Sequence, residues 1–288
     1  MAEKAIVAEN LTYIYDELVA VDHINFSIDE GDILGFLGPN GAGKTTTVKM
    51  LTGQLKPREG IARILGKDVA KHVEEIQGDI GVCFEITNLY EKMSAIENLN
   101  LFAKLFGVNG FDAEESLERV GLSGRGKDRV ETYSKGMKQR LMVARSMVNK
   151  PRILFLDEPT SGLDPTSSEA IREVILEERN RGATIFLTTH DMLEADKLSD
   201  RVAFMNQGKI VAFDTPLNLK QKYGKRALRA SVSVEGGVLE EREIELDNPG
   251  TPDAIQELFS KENVITVHSE EATLEDIFIQ ITGRGLVE

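Results

Sequence analysis

Cysteine is nearly absent from this chain of 288 residues, since Cys83 is the only one. An intramolecular disulfide and a cysteine-based zinc site are therefore both excluded. The four histidines, at positions 23, 72, 190 and 268, are too scattered in the sequence to indicate a metal cluster. The length predicts one large domain or two smaller ones, with enough residues to bury a sizeable core.

Long apolar runs are also missing. No stretch of 18 apolar residues occurs, which excludes a membrane-spanning helix from the sequence. The N-terminal Met1-Ala-Glu-Lys-Ala5 lacks the basic and then apolar layout of a signal peptide. The sequence therefore predicts a cytoplasmic protein, and any work at a membrane would need another chain to supply the membrane part.

An excess of basic residues is missing as well, because the formal net charge is −14 at pH 7. A nucleic-acid-binding protein needs a basic face to neutralise phosphates. We therefore expect no nucleic-acid partner. Internal repeats and low-complexity segments are absent too, so the chain is expected to form an ordinary globular fold.

What the chain does contain is Gly38-Pro-Asn-Gly-Ala-Gly-Lys-Thr45, which fits the phosphate-binding P-loop pattern. The apolar run 33–37 predicts a buried strand before it, and 46–55 carries apolar residues at helical spacing after it. Lys44 is expected to reach the β- and γ-phosphates of a nucleotide, and the Thr45 hydroxyl to hold Mg²⁺. The residues expected to bind the nucleotide are Gly38, Pro39, Asn40, Gly41, Ala42, Gly43, Lys44, Thr45 and Thr46.

Two adjacent carboxylates, Asp157 and Glu158, follow the apolar run 153–156, which is typical of a strand buried on both faces. Asp157 suits a Mg²⁺ ligand, and Glu158 suits a base that orients water for attack on the γ-phosphate. The same pair could simply cap the next helix, but the upstream P-loop favours catalysis. Taken alone, His190 is a weak signal and Tyr15 is better explained as a half-buried strand residue than as a ring that stacks on a base.

The rest of the chain alternates strands and helices, which indicates an α/β fold. Strands are predicted at 4–8, 24–28, 61–65, 80–84, 183–188 and twice within 202–213, and a helical insert at about 90–147. A cap and proline at Thr215-Pro216 predict another helix. We place a first domain at 1–220 and a small α+β domain at 221–288, whose last helix is opened by Thr273 and closed by Gly283.

The segment Tyr133-Ser-Lys-Gly-Met-Lys-Gln-Arg140 completes a set of motifs that resembles the nucleotide-binding subunit of an ATP-binding-cassette (ABC) transporter, over about residues 4–220. The resemblance implies a P-loop NTPase (RecA-like) core with N-terminal antiparallel strands and an inserted helical subdomain. Its motifs are the adenine-stacking Tyr15, the Walker A loop 38–45, Glu85 at the Q-loop position, the signature 133–137, Walker B at 153–158, the D-loop 161–164 and the switch histidine His190. The segment 273–278 is similar to the C-terminal extension of the drug- and antibiotic-exporter subfamily.

The resemblance implies an ATPase that uses ATP and Mg²⁺, with Thr45, Asp157 and Glu85 at the metal. It also implies a head-to-tail pair with a second nucleotide-binding domain, a homodimer or a paralogue, in which Ser134 and Gly136 donate to the γ-phosphate of the partner's ATP. Asp164 would join that site through the D-loop, and His190 would hold the γ-phosphate beside the catalytic Glu158 and Lys44. The expected partner is an integral-membrane permease, which would hold the chain at the inner face of the cell membrane as part of an exporter.

Two positions depart from the family pattern. Glu85 stands where glutamine is usual, and its extra negative charge beside the phosphates is expected to weaken nucleotide affinity. Lys135 replaces the first signature glycine. The alternatives are a soluble ABC ATPase acting on ribosomes or DNA, a GTPase, which would need an absent Asn-Lys-x-Asp motif, and a regulatory module without turnover.

Overall fold

The computed structural model describes residues 3–224, 227–234, 238–246, 248–270 and 272–283. The chain divides into two compact units, Met1–Asp214 and Thr215–Glu288. The boundary that the sequence placed after residue 220 lies instead before Thr215. The reason is that the helix Pro216–Tyr223 packs against the helix Leu274–Thr282, within the second unit.

The first unit contains ten strands and seven α-helices among its described residues. The strands are β1 (Lys4–Tyr15), β2 (Leu18–Asp29), β3 (Ile33–Leu37), β4 (Glu59–Ile64), β5 (Lys67–Asp68), β6 (Ile80–Cys83), β7 (Ile153–Asp157), β8 (Thr184–Thr189), β9 (Arg201–Asn206) and β10 (Lys209–Asp214). The helices are α1 (Lys44–Leu51), α2 (Val73–Gln77), α3 (Ala95–Leu105), α4 (Ala113–Arg119), α5 (Lys135–Ser146), α6 (Pro165–Asn180) and α7 (Met192–Leu198).

A six-stranded sheet in the order β10-β9-β3-β8-β7-β6 forms the centre of this unit. All its pairings are parallel except that of β10 with β9. Strands β3, β7 and β8 are buried along their whole length, which explains their unbroken apolar sequences. Because Leu37 pairs with Thr189 and Asp157 with Thr188, the P-loop, the Asp-Glu pair and the segment that carries His190 all leave the same edge of the sheet.

An antiparallel sheet in the order β2-β1-β4-β5 lies at the start of the unit. Strand β1 is longer than the predicted strand at 4–8, and it continues to Tyr15 through several register shifts in its pairing with β2. The Phe26 ring of β2 lies 5.6 Å from the Phe36 ring and 5.9 Å from the Phe186 ring, between centroids. These aromatic contacts join the antiparallel sheet to β3 and β8, so the two sheets share one apolar core.

The helical insert predicted at about 90–147 is present as α3, α4 and α5, around a second apolar core that includes Leu99, Leu117 and Leu141. Asp112 caps α4 by accepting from the backbone N–H groups of the first turn. Cys83, at the end of β6, is fully buried beneath α5, where the Gln139 amide contacts its sulfur. Burial raises the pKa of the Cys83 thiol to about 12.

The second unit contains α8 (Pro216–Tyr223), β11 (Ala227–Ser233), β12 (Leu239–Glu245), α9 (Thr251–Lys261), β13 (Asn263–Glu270) and α10 (Leu274–Thr282). Its antiparallel sheet has the order β12-β11-β13. Thr273 forms a reciprocal capping box with Asp276, and Gly283 ends α10 at a φ of 70°, as predicted. Among the described residues of either unit, no helix combines the length and the apolar character that a membrane span requires.

Candidate active site

The loop between β3 and α1 requires glycine for steric reasons. A Cβ on Gly38 would overlap the Met205 carbonyl oxygen, and a Cβ on Gly43 would overlap the Ala20 carbonyl oxygen. Gly41 and Gly43 also have φ angles of 79° and 107°, a region that residues with a Cβ rarely adopt. The P-loop pattern therefore reflects a tightly enclosed turn at the beginning of α1, where unpaired backbone N–H groups can receive an anion.

The turn between β9 and β10 fastens this loop to the antiparallel sheet. The Gly208 N–H donates to the Ala42 carbonyl at 3.0 Å, and the Asp22 N–H donates to the Gly208 carbonyl at 2.9 Å. A cleft of about 580 Å³ opens beside these contacts. Its lining includes Tyr15, Pro39, Asn40, Gly41, Gly43, Lys44, Thr45, Thr46, Glu85 and Glu158, all of them expected from the sequence.

Lys44 lies at the floor of the cleft with 6% of its side chain exposed. Its ammonium group donates to the Gly38 carbonyl at 2.6 Å and lies 3.2 Å from Glu158 Oε1. The buried lysine is thus paired with a carboxylate that directly follows β7, a strand separated from β3 by β8 in the same sheet. This arrangement places one cation where the loop, helix α1 and the Asp-Glu pair meet.

Asp157 ends β7 and is 1% exposed. One carboxylate oxygen accepts from the Thr188 hydroxyl, whereas Oδ2 is buried and makes no hydrogen bond within the described part of the chain. Burial raises the pKa of Asp157, against the lowering effect of the Thr188 and Thr45 hydroxyls. A buried carboxylate oxygen without a donor fits a hard cation such as Mg²⁺.

The other two metal ligands predicted from the sequence, Thr45 and Glu85, line the cleft itself, whereas Asp157 is not among its lining residues. Glu85 is exposed and makes no hydrogen bond or ion pair with any described residue. Among the described residues, no group of three or more His, Cys, Asp and Glu side chains is arranged to hold a metal ion. A Mg²⁺ ion at this place would therefore depend on nucleotide phosphates for part of its coordination.

Glu158 and His190 form a direct pair. The His190 Nδ1 atom lies 2.7 Å from Glu158 Oε2, with the glutamate side chain 6% exposed and the histidine 46% exposed. Glu158 has a φ of 51°, and its N–H donates to both the carbonyl and the hydroxyl oxygen of Thr188. A left-handed conformation at a residue other than glycine costs about 1–3 kcal/mol and is typical of functional sites.

Tyr15 lies at the end of β1, at the rim of the cleft, and is 40% exposed. Its ring packs edge-on against Tyr13 at a centroid distance of 4.8 Å. Both interpretations of Tyr15 are compatible with this position, because a half-exposed ring at a cleft can still stack on a base. Its role as the adenine platform stays a prediction.

The signature and D-loop residues do not line the cleft of their own chain. Ser134 caps α5, and Asp164 caps α6 by accepting from the Ser167 N–H and hydroxyl at 3.0 and 2.7 Å. A Cβ on Gly136 would press on the Ser167 hydroxyl, which explains the glycine there. Nucleotide contact by Ser134, Gly136 or Asp164 would have to come from a second copy, and it stays a prediction.

Sequence reasoning missed part of the cleft. Leu18, Val19 and Ala20 reach it through the β1–β2 hairpin, and Gln207 and Gly208 through the β9–β10 turn. The Asn-Gln-Gly sequence at 206–208 is typical of a turn between two strands, but it does not indicate that this turn lies beside the P-loop. Residues about 165 positions apart meet there through sheet order, which no local pattern contains.

A P-loop, an Asp-Glu pair and a histidine on the same edge of a parallel sheet define the class of P-loop nucleotide hydrolases. The family model described as "ABC transporter" matches residues 21–161. The fluoroquinolones export ATP-binding protein of Mycobacterium tuberculosis (strain CDC 1551 / Oshkosh) is 43% identical, over 98% of this chain and 95% of that protein. The bacitracin transport ATP-binding protein BcrA of Bacillus licheniformis is 35% identical, over 96% of this chain and 97% of its own length.

A solved structure agrees with these relatives. The ATP-binding cassette MJ0796, in a dimeric post-hydrolysis state bound to ADP and Pi, is 27% identical with a TM-score of 0.67, over 73% of this chain and 98% of that one. The chain belongs to the ABC transporter family as an ATP-binding subunit. Its activity is that of an ABC ATPase.

Proposed function

We propose that this chain hydrolyses ATP in the cleft around Lys44 to drive an exporter of drug-like or antibiotic molecules. The observation that carries the chemistry is the convergence of Lys44, Asp157, Glu158 and His190 at one edge of the sheet, with Glu158 between the lysine and the histidine. The direction and the substrate class rest on relatives whose names refer to fluoroquinolone export and bacitracin transport.

In this proposal Lys44 exchanges the Gly38 carbonyl for phosphate oxygens when ATP binds, because charge-assisted bonds to phosphate are the stronger ones. Glu158 then accepts a hydrogen bond from the attacking water and orients it toward the γ-phosphate. His190 supports Glu158 through Nδ1 and contacts the γ-phosphate through its other ring nitrogen, where negative charge develops. Tyr15 stacks on the adenine at the outer end of the cleft.

The unpartnered Asp157 Oδ2 supports Mg²⁺ as the metal. The Thr45 hydroxyl and Asp157 would hold it, together with Glu85, which also lines the cleft. When bound, Mg²⁺ neutralises charge on the phosphate oxygens. The contribution of the protein is a dry carboxylate whose position is fixed by the Thr188 hydroxyl.

The proposal also includes a head-to-tail pair of nucleotide-binding domains. The cleft of one chain contains the P-loop and Glu158 but not Ser134 or Gly136 of the same chain. If a second copy brings these groups to the γ-phosphate, closure of the pair depends on ATP because neither half surrounds the phosphate alone. The dimeric state of MJ0796 supports such an arrangement.

A permease is proposed to sit against the helical insert, beside the Glu85 segment. A groove of about 260 Å³ lies there, lined by Phe84, Phe102 and Phe106. Ile86 and Leu105 nearby are 80% and 69% exposed, which is unusual for large apolar side chains outside an interface. Movement of the insert on closure would then be transmitted to the permease.

The test of the chemistry is Glu158→Gln in the full chain. Removal of the carboxylate should leave ATP binding intact and lower the turnover rate by about 10²- to 10⁴-fold, the usual contribution of a general base. The variant should also accumulate as an ATP-bound dimer in size-exclusion chromatography. The matched control is Glu257→Gln, which changes an exposed glutamate of α9 and should leave the rate unchanged. Hydrolysis by Glu158→Gln at the wild-type rate would show that the base is assigned wrongly.

The test of the transport role is affinity capture of the tagged chain from detergent-solubilised cells. Co-purification of a chain with several apolar spans of about 20 residues would support the permease partner. Recovery of ribosomal proteins, or of no membrane protein, would favour the soluble ABC ATPase instead. The ATPase chemistry does not depend on this outcome.

A further inference from the structure

A buried carboxylate outside the cleft lies close in sequence to His190. Glu194, on the first turn of α7, is 2% exposed. Its Oε2 accepts a hydrogen bond of 2.8 Å from the Thr160 hydroxyl, and its Oε1 makes no hydrogen bond within the described ranges. Burial raises the pKa of Glu194, and the charge of Asp191 adds to that effect.

The hydrogen bond between Thr160 and Glu194 joins the segment that carries Glu158 to the segment that carries His190. Thr160 follows Glu158 by two positions, in the turn between β7 and α6. Glu194 follows His190 by four positions, after the turn between β8 and α7. Each segment supplies one member of the Glu158–His190 pair, so this bond ties together the two loops that hold the pair.

A second set of bonds ties the same loops on the sheet side. The Glu158 N–H donates to the Thr188 carbonyl at 3.0 Å and to its hydroxyl at 3.1 Å. The Glu158–His190 contact therefore lies between a connection through Thr188 and a connection through Glu194. The backbone of Glu158, with its φ of 51°, needs such support from both sides to keep its conformation.

Packing alone does not explain a glutamate at position 194. A buried carboxylate with one unsatisfied oxygen is less stable than an apolar side chain of similar volume. Helix α7 does not need it for capping either, because Asp191 already accepts from the N–H groups of Leu193 and Glu194 at 2.9 and 3.0 Å. The Thr160 hydroxyl donates to this carboxylate at 2.8 Å, and the Thr189 hydroxyl and the charge of Arg172 also favour its ionised form.

From these contacts we infer that Glu194 is a positioning residue for hydrolysis, which holds Glu158 and His190 in register through its hydrogen bond to Thr160. This inference rests on the proposed roles of Glu158 and His190. It adds that the rate depends on a hydrogen bond outside the cleft. Loss of that bond should misplace the catalytic pair without removing any group that touches ATP.

The experiment measures kcat, KM and ATP affinity for Glu194→Ala and Thr160→Ala in the full chain. Each variant should lower kcat by about 10- to 100-fold, the effect of a misplacement of about 1 Å, with ATP affinity unchanged. Glu194→Gln and Thr160→Ser keep an acceptor and a hydroxyl, so both should stay within about threefold of the wild-type rate. The double variant should be no slower than the slower single variant, because both changes remove the same bond.

Several results would overturn the inference. One is a wild-type kcat in Glu194→Ala, and another is a loss in Glu194→Gln as large as that in Glu194→Ala. A double variant in which the two losses multiply would also overturn it, since the residues would then act separately. If Glu194→Ala does not fold, Thr160→Ala still tests the inference, because it removes only a partly exposed hydroxyl.

Two controls separate a positioning role from other causes. Glu178→Ala removes another buried glutamate, which is paired with Arg119 and Arg181 away from the cleft, and it should lower the melting temperature without changing kcat per active site. Glu158→Gln, measured in parallel, tests the proposed catalytic base itself. If Glu158→Gln is inactive and Glu194→Ala is fully active, the positioning role fails while the proposed function stands.

Discussion

Replacement of Asp157 by asparagine is expected to make the nucleotide-free protein more stable. It should also reduce the increase in melting temperature that ATP and Mg²⁺ cause. The carboxylate is 1% exposed, and its Oδ2 has no hydrogen-bond donor among the described residues. A buried polar group without a partner costs about 1–3 kcal/mol, and a charged group costs more. Asparagine keeps the acceptor for the Thr188 hydroxyl and removes the charge.

The size and the pH dependence of this effect follow from the raised pKa of Asp157. A gain of about 1–3 kcal/mol corresponds to about 2–12 °C in Tm for a unit of this size. Below the ordinary carboxyl pKa of 3.8, Asp157 is protonated in both the folded and the unfolded chain. The contribution of the protonated carboxyl to the free energy of unfolding is then fully present. As the pH rises through the higher folded-state pKa, that contribution is lost. The difference in melting temperature between Asp157→Asn and the wild type should therefore be larger at pH 8 than at pH 5.

Thermal unfolding at pH 5 and pH 8, with and without ATP and Mg²⁺, is the assay. Asp164→Asn is a control of opposite sign, because hydrogen bonds from Ser167 lower the pKa of Asp164. The stability that Asp164 contributes is present above the ordinary pKa of 3.8 and is lost as the pH falls through the lower folded-state value, so its loss should destabilise the chain at both pH values. An Asp157→Asn variant that is less stable than the wild type at pH 8, or whose gain does not change with pH, would refute the reasoning.

Two further predictions concern the cleft. Tyr15→Ala should weaken ATP binding by about 1–3 kcal/mol in isothermal titration calorimetry, whereas Tyr15→Phe should keep the wild-type affinity, because stacking needs the ring and not the hydroxyl. An unchanged affinity in Tyr15→Ala would leave Tyr15 as a strand residue. Glu85→Gln should bind ATP several-fold more tightly at low salt, because it removes a negative charge beside the phosphates, and an affinity equal to or weaker than that of the wild type would contradict this.

The sequence was sufficient for the parts of the site that depend on local pattern. The P-loop is recognisable because the glycines that its backbone requires, Gly41 and Gly43, lie within four residues of Lys44 and Thr45, which are predicted to contact the phosphates. The burial of β3, β7 and β8 follows directly from their unbroken apolar runs. The beginnings of α8 and α10 were predicted from caps whose partners are three residues away.

The remaining features depend on contacts that are distant in sequence. The length of β1 was missed because Asn10–Tyr15 carries polar residues among the apolar ones and pairs with β2 through register shifts, which break the alternation of a simple strand. The left-handed backbone of Glu158 is imposed by Thr188 on another strand, so the residue type gave no indication of it. The place of Gln207 beside the P-loop follows from sheet order alone.

The burial of Cys83 has a practical consequence for experiments on motion. Its thiol is fully enclosed, and its pKa of about 12 keeps it protonated, whereas thiol-reactive dyes and spin labels attack the thiolate. Cys83 is therefore not expected to react with thiol-directed labels in the folded chain. A single cysteine placed on the surface of α3 or α6 would be the one reactive thiol among the described residues, so structural changes at that position can be followed through the ATP cycle without removing the native residue.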